Sequence, residues 1–247
     1  MEMEIWIYTI LSVVAVSLVA LSGIVLLSVN KRYQETVLFV LVSFAVGSMI
    51  GNVLFELLPE SYEGIGDFVT IGWLVVLGLV IFFIIENVHM FHKHHLPRKK
   101  SLKSVGYMNL VADGIHNFTD GILIAVSWMI SYEVGLSTTI AIFIHELPQE
   151  LSDYGILIKA GFKKKKALLY NLLSAASSVL GALLALTVGQ RVEGFAVYLL
   201  PVAAGCFIYL SLFSLLPLIV KGNSLGKTLL QILILVSGVV LMYFVGE

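Results

Sequence analysis

Thiols are nearly absent from this sequence: Cys206 is the only cysteine, so no disulfide can close within the chain and the redox compartment cannot be read from it. Charge is scarce too. Asp, Glu, Lys and Arg make up 13% of the 247 residues, whereas 59% are apolar and the mean hydropathy is +0.99. A soluble domain of ordinary composition carries about 25% charged residues, so that class is excluded. No Gly-rich phosphate loop of the Walker type occurs, which argues against an ATP-driven pump within the chain. The start, Met-Glu-Met-Glu, brings no basic residue to the first apolar run. A cleavable signal peptide needs that charged start, so the first run is expected to stay.

What the sequence has in abundance is apolar runs of about 20 residues, the length that crosses a ~30 Å hydrocarbon core. They predict an all-α integral membrane protein with eight spans, at about 5–29, 36–59, 68–90, 106–130, 135–158, 167–189, 194–219 and 225–245. Residues 1–247 then form a single transmembrane domain with almost nothing left for a soluble one. If the N-terminus is outside, 14 of the 15 Lys and Arg residues fall in inner loops and only Arg191 lies outside, as the positive-inside rule favours. Both termini are therefore expected outside, in a multi-pass protein of the plasma membrane. Lys163 to Lys166 read as a topology anchor. Gly47 with Gly51, and Ser177 with Gly181, have the spacing that lets helices approach closely in lipid.

Only the stretch at about 91–105 exceeds a tight turn. It is introduced by His89, His92, His94 and His95, which either collect a borderline divalent ion loosely or sit solvated and bind nothing. The chemistry concentrates elsewhere. Spans 4 and 5 contain His116-Asn117-Phe118-Thr119-Asp120-Gly121 and His145-Glu146-Leu147-Pro148-Gln149-Glu150. With Asp113 and Asp153 these segments hold five acids, a burden of roughly 12–18 kcal/mol if each faced lipid, so they are expected to face inward. On a helix Asp113, His116, Asn117 and Asp120 share one face, and Glu146, Gln149, Glu150 and Asp153 share another. A His four residues before an Asp brings imidazole and carboxylate within reach of one ion, as zinc-type coordination requires. Pro148 cannot donate to the carbonyl of Ile144, which frees a further oxygen within the second segment.

Taken together, these motifs resemble those of the Zrt/Irt-like (ZIP) metal transporters, in particular the subfamily with His-Asn-Phe-x-Asp-Gly in span 4 and His-Glu-x-Pro-His-Glu in span 5. The resemblance extends to eight spans, the His-bearing loop and Leu57-Leu58-Pro59-Glu60 closing span 2. It implies a 3+2+3 arrangement, with spans 1–3 and 6–8 as an inverted repeat and the metal between spans 4 and 5. It further implies that His116, Asp120, His145 and Gln149 line one metal position, and Asn117, Glu146 and Gln149 a neighbouring one. Glu150, Asp113 and Glu56 are further candidates. Three departures favour a single main site. Gln149 replaces the family's His or Glu, Ser178 stands where many relatives carry the Glu of a Glu-Pro-x-Gly motif, and Glu56 stands where His is frequent. The large extracellular domain of many animal members is not expected here, and a compact form is.

The expected function is uptake of Zn2+ into the cytosol by alternating access, with Fe2+, Mn2+ and Cd2+ as other candidate ions. His plus carboxylate suits borderline ions, whereas Mg2+ and Ca2+ prefer all-oxygen shells. No cofactor, no nucleic acid and no enzymatic activity are expected. The partners are the metal ion and the bilayer, with a homodimer as a candidate assembly. Two alternatives compete: a metal effluxer or proton-coupled exchanger of another fold, and an intramembrane metallohydrolase suggested by His145-Glu146. The second lacks the closing His of His-Glu-x-x-His, because Gln149 occupies that place.

Overall fold

Within hydrocarbon, backbone N–H and C=O groups have no water to pair with, which leaves helices and closed barrels as the only spanning structures. A computed structural model describes residues 2–22, 31–94, 102–189, 191–192, 194–220 and 224–246, and every regular element among them is helical. Helix α1 runs Glu2–Ser17 and tightens into a 3-10 turn at Leu18–Ser22. Helix α2 runs Lys31–Asn52, widens into a π-turn at Val53–Leu57 and resumes over Leu58–Ile65. Helices α3, α4 and α5 are Phe68–His94, Leu102–Ile130 and Tyr132–Lys159. Helix α6 runs Lys164–Ala175 and, past Ala176, Ser177–Gly189. Helix α7 runs Phe195–Tyr209, widens at Leu210–Leu215 and ends with Pro217–Val220, and α8 is Leu225–Gly246.

Among the described residues, six stretches are long and apolar enough to cross a membrane: Met3–Ser22, Thr36–Ile65, Phe68–Ile85, Lys164–Gly189, Phe195–Leu215 and Leu225–Val245. Helices α4 and α5 are also long, at 29 and 28 residues, but their polar residues dilute their hydropathy. Neighbouring helices cover those residues instead. Helices α3 and α8 carry the opposite character, exposing Trp73, Val80, Phe83 and Ile84, and Leu229, Leu233, Val240 and Phe244. Exposed apolar surface on that scale belongs against lipid.

The packing pairs the two ends of the chain: α2 lies along α8, and α3 along α7. Glycine makes both contacts. A Cβ at Gly47 would collide with the carbonyl of Leu235, and one at Gly238 with Phe44 and Ser48; likewise Gly78 meets Val202 and Gly205 meets Val75. This symmetry has a sequence counterpart, since Gly47, Phe55, Leu57, Leu58 and Pro59 recur 158 residues later as Gly205, Phe213, Leu215, Leu216 and Pro217. The π-turns precede the two repeated prolines. Pro59 and Pro217 cannot donate to Phe55 and Phe213, and the turn ahead widens so that Leu58 N–H reaches Val53 and Leu216 N–H reaches Ser211 at 3.0 Å.

The central pair α4 and α5 is tied to both halves. Trp128 Nε1 donates to Ser12 Oγ of α1 at 3.0 Å, Asn52 of α2 donates to Ser137 of α5 at 3.0 Å, and Ser174 of α6 donates to the Leu110 carbonyl of α4 at 2.8 Å. Gly121 and Gly181 let α4 and α6 touch backbone to backbone, because a Cβ on either would strike Ser178 or Phe118 of the other helix. At the start of α3, Asp67 accepts from the Thr70 hydroxyl at 2.6 Å and from the amides of Thr70 and Val69. Those bonds, the Thr70 hydroxyl first, hold its carboxyl below the usual carboxylate range.

Candidate metal centre

A single residue, Ser131, separates α4 from α5, and its hydroxyl accepts from the Val134 amide at 3.2 Å. So short a link forces an antiparallel pair whose midpoints lie side by side. His116 is the middle residue of α4, and His145 and Glu146 are the middle pair of α5. The expensive groups therefore sit farthest from either helix end.

Four of the side chains singled out from the sequence converge there. His116, Asp120, His145 and Glu146 each present one ligand atom, and these atoms all lie within 4.8 Å of one another. His145 Nε2 is 3.1 Å from Asp120 Oδ2, His116 Nε2 is 3.3 Å from Glu146 Oε1, and the two Nε2 atoms are 3.4 Å apart. All four residues are buried, at 6% exposure or less. Phe82 of α3 and Phe207 of α7 hold the imidazoles edge-on, with ring centroids 5.3 and 6.0 Å away.

The donor inventory shows what this cluster needs. His145 Nδ1 sits 3.2 Å from the Ala141 carbonyl, and a carbonyl can only accept, so that nitrogen carries the proton and Nε2 turns a lone pair inward. That lone pair faces Asp120 Oδ2 and His116 Nε2. Asp120 Oδ1 and both Glu146 oxygens find no hydrogen-bond donor, and the 3.3 Å approach of His116 to Glu146 is not aligned as one. Four ligand atoms gathered this closely, with three carboxylate oxygens lacking any donor, call for a cation. No Lys or Arg is found among the buried residues described. Two imidazole nitrogens and two carboxylate oxygens make a set suited to a borderline divalent ion such as zinc.

The remaining sequence candidates divide. Asn117 is buried but turned along α4, donating to Asp113 Oδ1 at 3.0 Å. Asp113, Glu150 and Asp153 are buried and join it in a separate tier, described below. Gln149 is half-buried and takes part in none of the hydrogen bonds of the four-residue cluster. Ser178 binds Ser17 of α1 at 2.9 Å. Glu56 is buried in the π-turn of α2, and its charged neighbours are Glu60 and Glu133 at the ends of α2 and α5. His89, His92 and His94 fall on the last turns of α3, but their side chains, and all of His95, lie outside the described residues. Sequence reasoning missed Asn109 and Asn171, both of which bond buried acids. Asn171 was findable as an amide in the apolar stretch of span 6.

The profile of the family described as ZIP Zinc transporter matches residues 3–105 and 89–246. Zinc transporter ZIP13 of Pongo abelii is 34% identical over 216 residues, covering 82% of this chain and 65% of its own length. Zinc transporter ZIP13 of Homo sapiens is 30% identical over 255 residues, covering 82% of this chain and 69% of its own. The ZIP13 homolog of Drosophila melanogaster is 28% identical over 311 residues, covering 96% and 88%. The chain thus spans about two thirds of the length of the first of these relatives.

Proposed function

The chain belongs to the ZIP zinc transporter family, a family of transporters rather than enzymes, and from that premise we propose that it moves Zn2+ through its membrane into the cytosol. The ion would be held between α4 and α5 by His116, Asp120, His145 and Glu146, with Asn117 and Gln149 as the further ligands that the motif positions suggest. The single observation that carries this reading is the buried convergence of two imidazole nitrogens and two carboxylates, three of whose four oxygens find no hydrogen-bond donor. Zn2+ balances the two carboxylates and accepts both lone pairs. Its position at the middle of both helices suits alternating access, since either half can move over a fixed ion. We further take the membrane to be the plasma membrane, with both termini outside, on the distribution of Lys and Arg.

The test is reconstitution of the purified chain in sealed vesicles with Zn2+ outside and a zinc indicator within. The expected outcome is Zn2+ entry that His116→Ala abolishes and that Cd2+, Fe2+ and Mn2+ inhibit to different degrees. Entry no faster than in protein-free vesicles, with the protein folded and inserted, would reject transport.

A further inference from the structure

Below the metal centre, toward the Leu102 end of α4 and the Lys159 end of α5, lies a second set of buried polar groups, of which only Asn117 is also suggested for the first by its motif position. Asp113 is three residues from His116 and Glu150 four from Glu146, displacements of about 4.5 and 6 Å along the helices. Asn171 of α6 closes the set from the third side. The amide of Asn117 donates to Asp113 Oδ1 at 3.0 Å, and the amide of Asn171 donates to Glu150 Oε2. The Asn117 side chain lies against the Glu150 carboxyl, while Asp113 neighbours Asp153 and Ser174. Asn117, Glu150 and Asn171 are 0% exposed and Asp113 is 4% exposed.

Each of these four residues keeps one oxygen that has no partner: Asp113 Oδ2, Asn117 Oδ1, Glu150 Oε1 and Asn171 Oδ1. Both amides have already turned their NH2 groups onto the carboxylates, so the surplus is entirely of acceptors. Such groups are costly to bury unsatisfied. Among the described residues no buried Lys or Arg supplies a donor, and Lys103, Lys159 and Lys163 to Lys166 are all exposed. A proton can satisfy a carboxylate oxygen but gives nothing to an amide oxygen. A divalent cation is a partner for carboxylate and amide oxygens alike and matches the charge of two carboxylates.

We propose that Asp113, Asn117, Glu150 and Asn171 form a second cation station, made of oxygen alone, which receives the ion from the His116–His145 centre on its way to the cytosol. The station rests on the reading of this chain as a metal carrier. It is not the neighbouring position inferred from family motifs, because Gln149 is outside it and Asp113 and Asn171 are within it. Lacking nitrogen, it holds a borderline ion more loosely than the centre does and favours a harder ion such as Mn2+. Loose holding is what release requires. The Asn109–Asp153 pair, bonded at 2.9 Å, continues the polar line by a further turn.

The experiment is 113Cd NMR on the full chain in nanodiscs at saturating Cd2+, with Mn2+ binding followed by EPR. Wild type should give two cadmium resonances, one nitrogen-ligated and one in the range of all-oxygen shells. Glu150→Gln should remove only the second and slow vesicle uptake by about tenfold, the scale on which loss of groups around a metal is felt. Asn171→Asp should tighten Mn2+ by a similar factor, whereas a structural amide replaced opposite Glu150 would weaken it. One resonance in wild type, or two in both wild type and Glu150→Gln, overturns the station. The oxygen-shell signal should survive in the His116→Ala, His145→Ala double variant. If that variant also transports normally, the transport centre is refuted while the station stands.

Discussion

With its Nδ1 proton on the Ala141 carbonyl, His145 is oriented so that Nε2 faces Asp120 Oδ2 at 3.1 Å, the orientation in which an ion placed between them would take both as ligands. His116→Ala or Asp120→Ala should therefore leave folded, inserted protein that binds Zn2+ about 10–100-fold more weakly and transports little. Uptake at the wild-type rate, at equal membrane abundance, would reject the assigned ligands. Gln149 offers a second residue-scale test, because an amide is a neutral and weak ligand half-buried one turn from His145. Gln149→His should tighten Zn2+ by about tenfold and slow its release; calorimetric titration showing no change in affinity or stoichiometry would mean that residue 149 faces away from the ion. The convergence of His116, Asp120, His145 and Glu146 was legible in the sequence because helical spacing sets which residues share a face. Spacing along one helix cannot say how two stripes slide past each other. That sliding placed Asp113, Asn117 and Glu150 in a tier of their own and brought in Asn171 from a third helix.

The helices themselves were legible because a bilayer demands long apolar runs, and α4 and α5 remained visible despite their polar stripes. Their ends were not. Helix α3 continues to His94, past the apolar run, since the polar residues beyond Glu86 still favour helix once it is nucleated. The π-turns were hidden because they answer to the prolines that follow them, a relation seen only when Phe55 to Pro59 is laid beside Phe213 to Pro217. Close approach between elements rests on glycine, and here the two kinds of glycine separate cleanly. Gly181 faces the Phe118 carbonyl with no room for a methyl, while nothing lies within 4 Å of a Cβ at Gly155. Gly181→Ala should push α4 away from α6 at a cost of about 1–3 kcal/mol and displace His116 and Asp120 with it. Gly155→Ala should be neutral or stabilise by about 0.5–1 kcal/mol through helix propensity. Thermal unfolding in detergent, with Zn2+ titration of each, decides the matter: equal melting temperatures would mean that α4 and α6 are not in backbone contact.

For the whole molecule the open quantity is direction, because an inverted repeat packs equally well either way up and only the charges outside the membrane tell the two faces apart. Glu133 at the start of α5 and Lys165 near the start of α6 are both exposed and belong to opposite faces, since α5 alone lies between them. The orientation proposed from the distribution of Lys and Arg would put Lys165 in the cytosol and Glu133 outside. The chain is well suited to a labelling test. Its one cysteine, Cys206, is 2% exposed, packed with its thiol 3.7 Å from the Gly78 carbonyl, and should not react with a bulky maleimide. In intact cells a membrane-impermeant maleimide should label Glu133→Cys fully. Lys165→Cys should be labelled only after the membrane is opened. In that orientation the Lys164–Lys166 run would also anchor the loop electrostatically, because each basic side chain is worth about 1 kcal/mol against an anionic inner leaflet. Replacing Lys163 to Lys166 together with Gln should therefore yield a mixed population in which Lys165-side labels become accessible from outside. The opposite pattern in the unmutated background, with residue 165 labelled in intact cells and residue 133 silent, would invert the protein in the membrane. The oxygen-lined tier of Asp113 and Glu150 would then lie on the entry side of the His116–His145 centre, and the same geometry would describe export.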